Sequence, residues 1–439
     1  MVSAALVGVM LALPGAMTRA AGSEPGSWSA PVRISQAPGV YDFWFSPAGR
    51  GVVASLCCGG FGPGVPGTRL ALTGSDGRFR QSKLVSHAIG AQLVAGSPRH
   101  IRVVGWIKGP EGSADTGVAD LVHGRLTRPY RVLPVRVAGT ALARNARGDV
   151  AILGHVSRRA PKRSTHDRLY LTVGRAGHRF SRPLRLTGTG GPAGLGVGIS
   201  ARGDVVAAWV RDGVIYARER RPNGHLGRRV RVARDASAGP PSVAVAANGR
   251  AAIAWTSQEP SGETAPTTAA RMRVVLRDRG KPFGKPILLG RNGQPRASGW
   301  IPSEPVRAEA LPNGSFELVW VGQEQDKTVI RAAQTAGATI GATQSLSDPA
   351  RDAAGPQVAV GIGGDTAVAW SDLDDQAATV HLEAALQPAG ATAFGPREQL
   401  APGRPFAGGV AIAINPVGGR ITAAWEERSG GVFTSSRPR

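Results

Sequence analysis

The chain is poor in cysteine and tyrosine, and it lacks long apolar runs. Two cysteines among 439 residues exclude a fold held together by many disulfides. After the first 20 residues, no stretch approaches the ~18 consecutive apolar residues that a transmembrane helix needs. We therefore expect a soluble mature chain without a transmembrane segment.

Glycine and proline are plentiful instead, with 61 and 33 copies. Both are unfavourable inside helices, so the composition disfavours a helical bundle. Apolar residues make up 42% of the chain, which is enough to build a packed core. These figures favour an all-β protein.

The charge is strongly positive, with 53 lysines and arginines against 30 acids and a formal net charge of +23. Such a charge favours anionic partners, for example an anionic polymer or an acidic glycan. The basic residues are scattered and no zinc-finger or RNP signature is present, so we expect no sequence-specific binding of nucleic acid.

The N-terminus predicts export from the cell. An apolar run from Ala4 to Met17 is followed by the small residues Thr18 and Ala20, which is typical of a signal peptide over residues 1–20. No lysine or arginine precedes the run, which leaves a disordered apolar tail as the alternative. The expected location is secreted, either extracellular or in the cell envelope.

A repeat dominates the remaining sequence. A turn glycine is followed six residues later by tryptophan in five segments, which end at Trp209, Trp255, Trp320, Trp370 and Trp425. Weaker copies surround Trp106, Gly49 and Gly148. Between them runs a second pattern, an aromatic or aliphatic residue followed by proline and an aliphatic residue, as in Phe180-Pro183-Leu186. Each unit of about fifty residues therefore predicts four short strands, the size of a β-propeller blade.

The units predict one propeller over residues 21–439 with eight four-stranded blades, and seven blades are the alternative. The last unit lacks a fourth strand, whereas Trp28-Pro31-Ile34 is a fourth strand with no strands before it, so the N-terminal strand should complete the C-terminal blade. The predicted boundaries are 37–86, 87–135, 136–188, 189–234, 235–290, 291–347, 348–401, and 402–439 joined by 26–36.

This repeat pattern resembles the secreted bacterial propellers grouped with sialidases and other BNR-type proteins. Their hallmark is the Asp-box, Ser-x-Asp-x-Gly-x-x-Trp, and the nearest segment here is TGSDGRF (73–79), whose spacing differs. The resemblance is therefore one of architecture without Asp-boxes. It implies a tyrosine near the site, and Tyr41 is the one tyrosine on an innermost strand.

Long loops indicate the expected binding face. The connections after strands two and four include the long segments 57–67, 156–166, 257–269 and 290–305, whereas the hairpins on the opposite face are short. Variable loops on a rigid scaffold usually carry function. One of these loops carries Arg158 and Arg159, which we take as ligand-binding candidates.

Two tryptophans outside the repeat register and two adjacent cysteines are further candidates. Trp44, on the first innermost strand, is either a bulky core residue or an aromatic platform for a ligand. Trp300, in the longest connector, is either a stacking residue or an anchor for its own loop. Cys57 and Cys58 could form a vicinal disulfide in an oxidising compartment, with free or intermolecular thiols as the alternative.

Signs of catalysis are weak. The histidines form no metal-ligand spacing and there is no GxSxG motif, so we expect no metal and no cofactor. The innermost strands carry few carboxylates. The weak catalytic candidates are Asp42 and Glu309 as acid–base groups, Arg307 as a partner for an acidic sugar, and Tyr41.

These observations favour a monomeric, non-enzymatic propeller that binds an anionic polymer, an acidic glycan or an envelope protein through its long-loop face. The alternative is a carbohydrate-active hydrolase or lyase of sialidase-like type, in which the four weak candidates would form the site.

Overall fold

The turn glycines set the local structure of each repeat. Gly249 and Gly314 have φ angles of 85° and 86°, a region that residues with a side chain rarely adopt. Backbone hydrogen bonds close the two turns, from Gly249 to Ala246 at 2.9 Å and from Gly314 to Leu311 at 3.0 Å. The apolar segments on either side pair as antiparallel strands, so each repeat begins as a β-hairpin.

The computed structural model describes residues 27–36, 40–57, 67–74, 77–86, 89–96, 100–108, 114–122, 125–134, 137–156, 168–187, 192–258, 270–292, 306–374, 379–400, 406–427 and 430–438. Every regular element in these ranges is a β-strand. They contain no helix of the length and apolarity needed to cross a membrane.

The first four blades follow one another along the chain, each with its first strand innermost. In the second blade, two short strands share the outer position and both pair with the third strand of that blade. The strands are β2 Val40–Phe45, β3 Gly51–Cys57, β4 Gly67–Leu72, β5 Lys83–Ser86; β6 Ile89–Gly96, β7 Ile101–Lys108, β8 Ala114–Val122, β9 Arg125–Leu126, β10 Tyr130–Arg131; β11 Val137–Arg144, β12 Val150–Val156, β13 Arg168–Gly174, β14 Leu184–Arg185; β15 Gly194–Ile199, β16 Val205–Arg211, β17 Val214–Arg220, β18 Val230–Arg234.

The last four blades repeat the pattern, and the sixth again has a divided outer strand. The strands are β19 Ser242–Val245, β20 Ala251–Gln258, β21 Ala270–Arg277, β22 Ile287–Asn292; β23 Arg307–Ala310, β24 Phe316–Glu324, β25 Lys327–Ala336, β26 Thr339–Ile340, β27 Gln344–Ser345; β28 Asp352–Val360, β29 Thr366–Asp374, β30 Thr379–Gln387, β31 Glu398–Gln399; β32 Phe406–Ile414, β33 Ile421–Glu427, β34 Val432–Arg437, with β1 Val32–Ser35.

The core lies between the blades. Eight apolar clusters each join two neighbouring blades. One of them, which includes Phe43 and Ala424, joins the eighth blade to the first. The five tryptophans in register are at most 1% exposed, and each packs against the preceding blade. Each blade therefore buries its apolar face on the next, which closes the ring.

The ring is completed by the N-terminal strand, as predicted. β1 pairs antiparallel with β34, with Val32 opposite Thr434. Ser29 strengthens this joint, because its backbone N–H donates to Ser436 at 2.9 Å and its carbonyl accepts from the Ser435 hydroxyl at 2.6 Å. The prediction of eight four-stranded blades is confirmed.

Candidate functional site

Charged side chains are rare on the innermost strands, and four of them define the candidate site. Asp42 lies on β2 of the first blade, and Arg144 is the last residue of β11 in the third. Arg307 and Glu309 lie on β23 of the sixth blade. We call these four residues the channel cluster, because the innermost strands surround the centre of the ring.

Arg144 connects the innermost strands of three blades. Its Nη1 donates to the Val94 carbonyl at 2.8 Å, and its Nη2 donates to the Phe43 carbonyl at 2.7 Å. Nη1 also forms a short ion pair with Asp42. The Val94 N–H donates to the same Asp42 oxygen at 2.7 Å. Asp42 is therefore held in place by two donors.

Glu309 is the least constrained member of the cluster. Its side chain is solvent-exposed, and no hydrogen bond or ion pair joins its carboxylate to another described residue. Arg144 nevertheless acts on it electrostatically, although Arg144 belongs to the third blade. Groups from well-separated blades therefore face a common space.

The surroundings of Glu309 favour its neutral form. Desolvation by the surrounding protein raises the pKa of Glu309 to about 7, although the nearby charges of Arg144 and Arg307 lower it. Exposure and desolvation are compatible here, because a side chain can touch water on one side while the surrounding protein replaces much of its hydration on the others. A carboxyl group with this pKa can both accept and donate a proton near neutral pH.

Burial also raises the pKa of Asp42, and this rise is opposed by Arg144 and by the N–H of Val94. The two carboxylates therefore differ in what they can do. Asp42 is fixed in a bonded network, whereas Glu309 is available to a ligand.

Arg144 was missed in the sequence, where the innermost strands were searched for carboxylates. A signal was present. In three blades, the residue four positions before the turn glycine is aliphatic: Ile199, Val245 or Val360. In the third blade, the residue four positions before Gly148 is Arg144. A cation where other blades have an aliphatic residue indicates a local function.

The other candidate residues are dispersed. Trp44 is 6% exposed and packs in the core between the first two blades. Tyr41 is a residue of β2, and Cys57 ends β3. The remaining candidates and the predicted signal peptide lie outside the described residues: Trp300, Arg158, Arg159, Cys58 and residues 1–20. The binding roles and the vicinal disulfide stay predictions.

A second pair of acids lies in the seventh blade. Asp372 is fully buried on β29 and Glu383, on β30, is 6% exposed. Desolvation and the neighbouring charge of Glu383 raise the pKa of Asp372 to about 8. Arg351 and Arg397 flank Glu383 at 3.9 and 3.5 Å. In the described part of the chain, no three side chains form a group that could hold a metal ion.

Comparison with known proteins gives similarity of fold. No protein-family model matches the chain, and no curated protein matches it. Among solved structures, it is similar to the polysaccharide lyase Uly1, at 10% identity and a TM-score of 0.44, over 98% of this chain and 95% of that one. It is also similar to Penicillium chrysogenum α-L-arabinanase, at 12% identity and a TM-score of 0.37, over 70% and 94%.

A third similar structure is the subtype N10 neuraminidase-like protein of A/little yellow-shouldered bat, at 9% identity and a TM-score of 0.34, over 68% of this chain and 94% of that one. The chain is an eight-bladed β-propeller, as its repeat pattern predicts, and the solved structures similar to it include this neuraminidase-like protein.

The prediction of a non-enzymatic binding propeller is corrected by these comparisons. The solved structures similar to the chain include polysaccharide lyases and an α-L-arabinanase, so the non-enzymatic interpretation is not kept. The physical reason for the error lies in the channel. The residues of the channel cluster come from three blades that are far apart in sequence, but ring closure directs them toward one space.

Proposed function

We propose that the protein is a carbohydrate-active enzyme that cleaves an acidic polysaccharide by elimination, with Glu309 as the general acid–base group. The observation that carries this proposal is an unbonded carboxyl group with a pKa of about 7, placed beside Arg307 and Arg144 in the channel.

The chemistry of elimination matches these groups. In a uronic acid, the C5 proton is adjacent to a carboxylate, and it becomes acidic enough to remove once a cation neutralises that carboxylate. Arg307 would supply the cation. Glu309 would accept the C5 proton, the C4–C5 double bond would form, and the C4–O bond would break. The same carboxyl group could return its proton to the leaving oxygen.

The bonding of Asp42 favours elimination over hydrolysis by two carboxylates. A hydrolase needs a second carboxylate free to act as a base or a nucleophile. Asp42 instead accepts hydrogen bonds from Arg144 and Val94, so we assign it to positioning. Through Arg144, it would hold a positive charge at the edge of the space that Glu309 faces.

The substrate class follows from charge. A net charge of +23 attracts polyanions, and the channel cluster adds cations beside the acid–base group. Acidic polysaccharides occur outside cells, where the predicted signal peptide would send the protein.

The test is a panel of uronic-acid polysaccharides incubated with the full mature chain. Elimination yields an unsaturated uronic acid with a new ultraviolet absorbance, whereas hydrolysis yields reducing ends without that absorbance. We expect the absorbance with at least one member of the panel. We also expect Glu309→Gln to lower kcat by at least a hundredfold, because the amide cannot accept the proton.

Glu324→Gln is the matched control, because Glu324 lies in the same blade but outside the channel cluster. It should keep wild-type rates. Release of no product from any polysaccharide, or equal rates for the two variants, would refute the proposal.

A further inference from the structure

A cavity rich in arginine lies on the short-hairpin face, between the third and fourth blades. Its volume is about 230 Å³. It is formed by the hairpins that leave β11, β13, β15 and β17, and the arginines in its lining are Arg147, Arg175, Arg179, Arg202 and Arg220. We call it the arginine cavity. It lies on the face opposite the long loops.

The one carboxylate in the lining is already fully bonded. Asp149 forms an ion pair with Arg147 at 2.9 Å. It also accepts from the Asn145 amide and from the N–H of Ala176, both at 3.0 Å. This leaves four arginines, Arg175, Arg179, Arg202 and Arg220, without an acidic partner among the described residues.

Arg220 is the most constrained of the four. Its Nε is buried and makes no hydrogen bond to any described residue. Burial and the nearby charge of Arg175 lower the pKa of Arg220. Both effects penalise a guanidinium without a counter-ion.

The repeat shows what is missing at this position. In the next blade, Arg277 is the residue equivalent to Arg220. Each of the two arginines pairs with the first residue of the second strand in its own blade. Arg277 forms an ion pair at 3.0 Å with Glu219 of the preceding blade. The residue of the third blade that corresponds to Glu219 is Val173, which lines the cavity.

The same contact is polar in another part of the ring. Between the sixth and seventh blades, Gln334 and Gln387 occupy the two positions, and they form a hydrogen bond of 2.8 Å. The arginine cavity therefore lacks a partner that both other junctions supply from the protein.

We propose that the arginine cavity binds a tetrahedral oxyanion, a phosphate or sulfate group, which replaces the missing carboxylate beside Arg220. Guanidinium groups bind such anions through paired N–H donors. A concave wall with an excess of positive charge also concentrates anions from solution. The group could be a free ion or an ester on a sugar, and this proposal does not depend on the activity assigned to Glu309.

The experiment is titration calorimetry of the full mature chain with inorganic phosphate and with inorganic sulfate, in sodium chloride of matched ionic strength. We expect saturable binding of at least one anion. Arg220→Gln should weaken it by at least tenfold. Arg231→Gln, an exposed arginine of β18 in the same blade, removes the same charge and should change the affinity by less than twofold.

Val173→Glu is the second variant, and it removes no arginine. It supplies the carboxylate that Glu219 provides at the next junction, so it should also weaken anion binding by at least tenfold. A titration with glucose 6-phosphate identifies the source of the group. Competition with inorganic phosphate indicates an ester, and absence of competition indicates a free ion.

Two results would overturn the proposal. One is heats from phosphate and sulfate that do not saturate or that equal those from chloride. The other is equal affinity for Arg220→Gln and Arg231→Gln, which would show attraction by net charge alone.

Discussion

Glu317 offers a direct test of how burial sets the stability of this ring. It lies on β24 opposite Glu309 and is fully buried, and neither carboxylate oxygen has a hydrogen bond to a described residue. At the same position other blades have Val206, Ala252 and Ala367. Desolvation raises the pKa of Glu317 to about 8, with a small opposing effect of Gln334. We therefore predict that Glu317→Gln stabilises the protein at neutral and alkaline pH.

The magnitude follows from linkage. In the unfolded chain the pKa is near 4.5, so folding takes up a proton between pH 4.5 and about 8. The wild type has its full stability when the pH is below the pKa of Glu317 in the unfolded chain. It loses stability as the pH rises toward the pKa of Glu317 in the folded protein, and above that pKa the loss is constant. At about 1.4 kcal/mol per unit, the loss is at most about 1 kcal/mol at pH 5 and about 5 kcal/mol at pH 8.5.

The assay is urea unfolding of the wild type and Glu317→Gln at both pH values. Other titrating groups, including Asp372, are present in both proteins and cancel in the difference. We expect the free energy of unfolding of the variant to exceed that of the wild type by about 4 kcal/mol more at pH 8.5 than at pH 5. A difference that does not vary with pH would refute the reasoning.

Three further predictions concern other parts of the ring. Asp372→Asn should gain stability over the wild type as the pH rises from 4 to 8, because burial and Glu383 raise the pKa of Asp372 to about 8; a constant difference in urea midpoints would contradict this. Arg144→Met should lower the free energy of unfolding by about 2–3 kcal/mol, less than for a fully buried ion pair, because it leaves the partly buried Asp42 without its partner; a loss below about 1 kcal/mol in urea would show that the ion pair adds little. Deletion of residues 27–36 should lower the Tm in calorimetry and promote association, because it exposes the edge of β34; an unchanged Tm would show that ring closure by β1 contributes nothing.

The architecture could be predicted because it repeats. A turn glycine and a tryptophan six residues later occur in five units. In each unit the glycine indicates the hairpin turn, and the tryptophan packs against the preceding blade. Errors in one unit are therefore corrected by the others. The third blade has Gly154 in place of tryptophan, yet it folds as its neighbours do. Closure was predictable for a similar reason, because the Trp28 segment matched an outer strand with no blade of its own.

The candidate site was only partly predictable. Asp42, Arg307 and Glu309 could be selected because charged residues are rare on the innermost strands. That Arg144 bonds to Asp42 could not be inferred, because the contact joins two blades and depends on the length of an arginine side chain. The pKa of Glu309 was equally inaccessible, because it depends on desolvation in the folded ring and on the charge of Arg144, which is far away in sequence.

Departures from the repeat indicate chemistry more reliably in this protein than residue type does. Five residues before the turn glycine, several other blades have small residues such as Gly198, Ala244 and Ala359, and the first has the buried Trp44, whereas the sixth has Glu309. A carboxylate in place of an alanine loses hydration without gaining a core contact, so its presence needs a compensating role. Val173 is the reverse case, because an apolar residue there leaves the partly buried Arg220, with its buried Nε, without a carboxylate partner among the described residues. Glu309 adds a charge to the repeat, whereas Val173 omits one. Each change leaves a polar group without a partner in the described part of the protein, the carboxyl group of Glu309 or the guanidinium group of Arg220, and a ligand can bind to that group.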